Sequence, residues 1–275
     1  MCSKPYQNHG CGQCTPCRIN RKRLWVHRLM LELYNHSAAW FVTLTYEDSM
    51  LPLDGSVSRR ACQLFLKRLR RSWTRTKIRY YIVGEYGELS GRPHYHAIIF
   101  GGPEDLNQAD EWFRHAWPYG FVKTGDVTPQ SAGYVAGYVL KSSKAPAPGL
   151  RLPFSLMSKR PGIGCGQVID KAAAFYSTRK GAELVARLQD TTHVMRTEGK
   201  VQPLGRYLTD RLRLSSGLTK GEPPAAALVR AVTRLDDVDA AGGVIPYLEL
   251  EASKRQQHAH IAQQRLRSAQ LKKIL

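Results

Sequence analysis

Two apolar runs, residues 78–86 and 94–100, are separated by Gly87-Glu88-Leu89-Ser90-Gly91-Arg92. Both are rich in β-branched and aromatic residues, so the pattern predicts a β-hairpin with a somewhat long loop. Such a pairing constrains the chain strongly, because it fixes which side chains share a face. Residues i and i+2 of a strand point the same way, so His94 and His96 reach one point while Tyr95 turns to the other face. If Tyr86 pairs with Pro93, then Glu85 lies opposite His94 and Val83 opposite His96, with facing Cβ atoms about 4.5–5.5 Å apart. A slip of one residue sends Glu85 to the far face and leaves Glu88, in the loop, as its substitute. A His-His-carboxylate set with open positions suits Mg²⁺ or Mn²⁺ acting on phosphate oxygens.

The segments around the hairpin extend this frame. Thr15-Pro16 reads as an N-cap followed by proline at the first helical position, opening a helix with Ile19, Trp25, Leu29 and Leu33 at helical spacing. Residues 39–46 read as a strand. A helix from Ser58 to about Trp73 places Cys62, Phe65, Leu69 and Trp73 on one face and Arg and Lys on the other. Leu106 to Trp117 reads as a helix, Phe121 to Val127 as a short strand, and Thr128-Pro129 opens a helix ending near Lys141. From residue 39 the order is β-α-β-β-α-β-α, which predicts an α+β fold with one antiparallel-rich central sheet and helices packed on it. The expected division is 1–36 for a cysteine cluster and basic helix, 37–145 for the sheet-bearing core, and 146–275 for a mostly helical extension with linkers. Ser142 to Pro153 reads as a linker or long loop, Lys171 to Leu188 and Pro246 onward as helices, and Gly221-Glu222-Pro223-Pro224 as a break.

Charge narrows the partner. Lys plus Arg number 41 against 22 Asp plus Glu, a net charge of +19, and the cations cluster at 18–28, 59–77 and 254–273. A polyanion, and nucleic acid first, is the expected partner. No apolar run reaches the roughly 18 residues of a membrane span, and no signal-peptide pattern opens the chain. The expectation is therefore a protein that stays in the cytoplasm, with no membrane partner. Cys11-x-x-Cys14-x-x-Cys17 packs three of the six cysteines into seven residues. That spacing suits thiolates around one ion, so a structural Zn²⁺ held by these three and Cys2 or His9 is expected.

The helix after Pro129 carries Tyr134, Tyr138 and Lys141 at i, i+4 and i+7, one stripe on its surface. Gly133, Ala136 and Gly137 flank it and allow close approach. A free tyrosine ionises near pH 10, so a nearby metal and lysine are needed to favour the phenolate. The reaction implied is attack of a tyrosine on a DNA phosphate, leaving a phosphotyrosine and a free 3′-hydroxyl.

Several segments, in order, resemble the HUH endonuclease superfamily, named for His–hydrophobic–His. They are Phe41-Val42-Thr43-Leu44-Thr45-Tyr46, the stretch from Val83 to His96, and Tyr134 through Lys141. The match is nearest to replication initiators of small single-stranded DNA phages of the microvirus group, of the gokushovirus type. Met157-Ser158-Lys159-Arg160-Pro161-Gly162-Ile163-Gly164, the N-terminal cysteines and the basic helix after them fit as well. The resemblance spans roughly residues 1–170, and nothing beyond about 180 takes part in it. It implies rolling-circle replication on single-stranded DNA at a viral origin, in a host bacterial cytoplasm, with host helicase and polymerase. Two tyrosines one turn apart suit alternating nucleophiles at one metal. Some relatives carry their lysine where this chain has Gly137, so Lys141 is the expected cation here. A transposase or relaxase on the same core is the alternative, and a non-catalytic RNA-binding module of the RRM type is a more distant one.

Overall fold

The computed structural model describes residues 2–4, 10–141, 148–197, 199–221 and 236–271. The first half of the expected linker, residues 142–147, and residues 222–224 of the expected break lie outside the described residues. The chain divides into two compact units, residues 25–171 and residues 1–24 with 172–275.

The first unit is built on a five-stranded antiparallel sheet. Its strands are β1 (Ala39–Thr45), β2 (Arg79–Tyr86), β3 (Pro93–Phe100), β4 (Val122–Asp126) and β5 (Phe154–Met157). Their spatial order is β4-β1-β3-β2-β5. β3 runs antiparallel to both β1 and β2, so it fills the middle of a split β-α-β unit. The helices of this unit are α1 (Thr15–Leu33), from its residue 25 onward, α2 (Arg59–Ser72), α3 (Leu106–Ala116) and α4 (Pro129–Lys141). β5 was not legible in the sequence: four residues are too few to show a period, and it is held by pairing Phe154–Met157 with Gly84–Tyr81 of β2. It joins the sheet from beyond residue 145, where the sequence places the end of the core.

Both faces of the sheet are covered, which explains why β3 is buried along almost its whole length. On one face Trp40, Val42, Leu44, Tyr95, Ala97 and Ile99 pack with Phe65, Leu69, Phe113 and Trp117. On the other, Tyr81, Val83, Ile98 and Phe100 pack against Leu29 of α1 and Ala132, Val135 and Ala136 of α4. The small alanines let α4 lie close to β2 and β3.

The residue between the two histidines links the faces. Tyr95 is fully buried, and its hydroxyl accepts from the Ser58 N–H at 2.8 Å and lies 2.9 Å from the Tyr46 hydroxyl. Ser58 is the N-cap of α2, its side chain accepting from the Ala61 N–H. The hairpin thereby positions the start of α2.

In the second unit, Lys171 to Leu188 is not one helix. α5 (Gln167–Tyr176) ends and α6 (Arg179–Leu188) begins on Thr178, whose hydroxyl accepts from the Gly181 N–H at 3.2 Å. A two-stranded ribbon, β6 (Val194–Thr197) with β7 (Lys200–Pro203), and α7 (Gly205–Ser215) follow, none of them foreseen. Their patterns are short and mostly polar. α8 (Val244–Leu271) matches the helix expected from Pro246. Among the described residues no helix is long and apolar enough to cross a membrane.

Candidate active site

The hairpin takes the register with Tyr86 opposite Pro93, which sets Glu85 opposite His94 and Val83 opposite His96. Glu85 therefore stands on the histidine face, and its Oε1 lies 3.0 Å from His94 Nε2 and 3.2 Å from His96 Nε2. Glu88, the substitute, is outside this cluster: among the described residues the grouping is Glu85, His94 and His96, with ligand atoms within 4.8 Å of one another.

The far sides of both rings are tied down. His94 Nδ1 lies 3.1 Å from the Arg92 carbonyl oxygen, which can only accept, so that nitrogen carries the proton. His96 Nδ1 is 3.0 Å from Thr43 Oγ1, across the β1–β3 pairing. With protons on Nδ1, both Nε2 lone pairs face the same carboxylate oxygen. Three acceptors converging on one point repel each other unless a proton or a cation lies between them. Two imidazole nitrogens and one carboxylate oxygen are the donor set of a divalent ion, so the residues fit one.

Electrostatics agree with that crowding. Burial pushes the Glu85 carboxyl up, but hydrogen bonds and charge from His94 and His96 outweigh it and leave it below the usual carboxylate range. Burial holds His96 below the ordinary histidine value, with Glu85 opposing that shift.

α4 brings its two tyrosines to this spot. The Tyr134 hydroxyl is 3.4 Å from His96 Nε2. The Tyr138 ring lies nearly parallel to the His96 ring, with centroids 5.5 Å apart, and the two phenol rings are 4.8 Å apart. Phe41 of β1 also stacks on His96, at 5.8 Å. Burial, contact with Tyr134 and the charge of Glu85 all raise the Tyr138 pKa, so its phenol is held protonated. The Lys141 side chain lies outside the described residues. Thr43 and Phe41 were missed as site residues because their roles depend on a strand pairing across more than fifty positions.

Elsewhere in the same unit, an open cavity of about 1090 Å³ lies between the C-terminal half of α2, the start of β2 and the segment after β5. Arg59, Arg70, Arg75, Lys77, Lys159 and Arg160 line it, all exposed. The Arg70 and Arg75 guanidinium groups lie over the Tyr80 and Trp73 rings at 5.4 and 5.3 Å.

Residues 39–143, the stretch from β1 to just past α4, match the replication-associated protein family of the ORF2 type. The first four strands of the sheet and both tyrosines lie inside that match. This part of the chain is of the microvirus replication-initiator type. Replication-associated protein VP4 of Bdellovibrio phage phiMH2K is 33% identical over 154 residues, covering 48% of this chain and 47% of that protein. Replication-associated protein ORF2 of Spiroplasma virus 4 is 34% identical over 152 residues, 48% of this chain and 47% of that protein. Replication-associated protein ORF4 of Chlamydia phage 1 is 29% identical over 150 residues, 48% of this chain and 37% of that protein. The matched stretch thus spans about half the length of these relatives or less. No solved structure matches the chain.

Proposed function

We propose that this chain is a metal-dependent, site-specific single-stranded DNA endonuclease and strand-joining enzyme that initiates rolling-circle replication. The observation that carries the reading is the 3.4 Å approach of the Tyr134 hydroxyl to His96 Nε2, beside the converging Glu85 and His94.

Glu85, His94 and His96 would hold Mg²⁺ or Mn²⁺, which when bound polarises the phosphodiester and offsets charge gathering on its oxygens. The protein's own groups do the rest. Thr43 and the Arg92 carbonyl fix both rings with Nε2 forward. Tyr134 is assigned the first attack: as its oxygen bonds to phosphorus, the bond to the 3′ oxygen breaks, and that oxygen takes a proton as the 3′-hydroxyl. The 5′ end stays on the tyrosine. Because a phosphodiester is exchanged for a phosphotyrosine, the step reverses when a free 3′-hydroxyl returns. Tyr138, one turn along α4 and held protonated, is the nucleophile for the second cleavage. Lys141 is the cation proposed to assist the phenolates. The paired tyrosines favour circle release over a single-tyrosine transposase. A non-catalytic RRM-type module would leave both tyrosines and the three converging ligands without a use.

The DNA strand is taken to lie along the cations around the α2–β5 cavity, where exposed guanidinium and ammonium groups suit phosphates. Host helicase and polymerase are the partners such a reaction needs.

The test is a covalent adduct assay, with Mn²⁺ and end-labelled single-stranded oligonucleotides tiling the replicon that encodes the chain. A labelled band should shift to protein size and vanish after protease digestion. His94→Ala and His96→Ala should each abolish it, as should Tyr134→Phe combined with Tyr138→Phe. Adduct formation by the double-tyrosine variant would place the nucleophile elsewhere and end this reading.

A further inference from the structure

The nuclease reading makes no use of the N-terminal cysteines. We propose that Cys2, Cys11, Cys14 and Cys17 hold one structural zinc ion in a tetrahedral thiolate site.

The four sulfurs lie within 4.8 Å of one another, and Cys14 Sγ is 3.6 Å from Cys2 Sγ. His9, the other candidate for the fourth ligand, lies outside the described residues. A tetrahedron with Zn–S bonds of about 2.3 Å has edges of about 3.8 Å, so that spacing is the one a single ion imposes. It is far longer than the ~2.05 Å of a disulfide, and all four cysteines are free thiols. Three consecutive x-x spacings also occur in iron–sulfur proteins. A multi-iron cluster, however, spreads its cysteines over several metal atoms and holds their sulfurs further apart than these.

The backbone around the cluster is arranged for anionic sulfur. Cys2 Sγ accepts from the Cys11 N–H at 3.2 Å and the Lys4 N–H at 3.4 Å, and Cys11 Sγ accepts from the Cys14 N–H at 3.3 Å. Such bonds strengthen when the acceptor carries charge. Cys17 sits in the first turn of α1, where the helix dipole also favours a thiolate. Four thiolates this close, without a cation, would repel strongly.

Two glycines show how closely the chain wraps these sulfurs. A Cβ at Gly10 would come 2.7 Å from Cys17 Sγ. Gly12, inside the Cys11–Cys14 turn, has φ of +73°, which a side chain would strain. Neither requirement was apparent from cysteine spacing alone. Few apolar side chains surround residues 2–17, so the ion would supply the fixed structure ahead of α1.

The experiment measures metal content of the full chain by mass spectrometry after exhaustive dialysis against Mg²⁺. One zinc per chain is expected. It should persist in the His94→Ala/His96→Ala variant, which separates this site from the nuclease cluster. It should also persist in Cys165→Ala and be lost in Cys14→Ser/Cys17→Ser. Replacement by Co²⁺ should give the intense visible bands of tetrahedral thiolate coordination. A chelator should expose the cluster thiols to a disulfide reagent. Zinc absent from wild-type protein would overturn the proposal, as would iron with a cluster's visible absorption, or octahedral cobalt bands. If the cysteine pair variant fails to fold, wild-type content and the cobalt spectrum still decide.

Discussion

At the scale of single residues, the side chains that orient a ligand matter as much as the ligands. His96 faces the cluster because Thr43 Oγ1 accepts from its Nδ1 and Phe41 stacks on its ring. Thr43→Val keeps the β-branched shape and strand preference but removes that acceptor. Loss of such an outer partner typically weakens metal binding about 10–100-fold. Mn²⁺ titration followed by electron paramagnetic resonance should show a drop in that range, with the fold intact by circular dichroism. An unchanged affinity would mean that Thr43 does not set the ring. Glu85 and the two histidines could be read as candidates from the sequence, because strand alternation is a local rule. Thr43 could not, since hydroxyls are frequent in strands and only the β1–β3 pairing gives this one its neighbour.

At the scale of elements, a buried ionic knot joins three of them. Glu32 of α1 pairs with Arg79 of β2, and its Oε2 accepts from the Gly164 N–H at 2.6 Å. Arg79 Nη2 donates to the Pro161 carbonyl at 2.9 Å. The segment Met157–Gly164, noticed first only as a family-like stretch, is thereby fastened to the sheet and to α1. Glu32→Gln leaves Arg79 buried without a counter-charge, which costs about 3–5 kcal/mol. Urea unfolding should show a loss of that order. Burial pushes the Glu32 carboxyl up, yet His36, Arg79 and the Gly164 N–H hold it below the usual carboxylate range. A depressed carboxyl contributes stability that is fully present above the unfolded value of about 4.3 and is lost as pH falls through the lower folded value. Stability measured against pH should therefore fall on the acid side below about pH 4, and more shallowly in Glu32→Gln. Equal slopes would remove Glu32 as the cause. Long elements such as α1, α2 and β1–β3 could be read in advance because their apolar period repeats several times. β5, β6 and β7, at four residues each, carry too little pattern and exist through their partners.

At the scale of the molecule, a net charge of +19 marks the chain for a polyanion but does not say where it binds. The fold concentrates exposed cations of α2, the turn after it and the segment after β5 around one cavity. On a single strand each phosphate contact contributes about 0.7 to the log–log salt slope, or about fivefold in affinity at 0.1 M salt. Arg70→Gln/Arg75→Gln/Lys159→Gln should therefore bind a single-stranded oligonucleotide about 100-fold more weakly, with a slope lower by about two. Fluorescence polarisation across salt concentrations measures both. Arg60→Gln/Lys67→Gln/Arg71→Gln, on exposed positions of α2 away from the cavity, should lose much less. Equal losses in the two variants would mean diffuse attraction rather than a groove. Taken alone, the sequence determined the order of the core elements, the face shared by His94 and His96, the stripe of Tyr134 and Tyr138, and the crowding of Cys11, Cys14 and Cys17. Each follows from chain connectivity over a few residues. Tertiary structure decided the hairpin register that puts Glu85 on the histidine face, the packing of α4 that aims Tyr134 at His96, and the return of Cys2 to the other three cysteines. Those depend on burying apolar surface between segments far apart in the chain, and no local rule specifies that pairing.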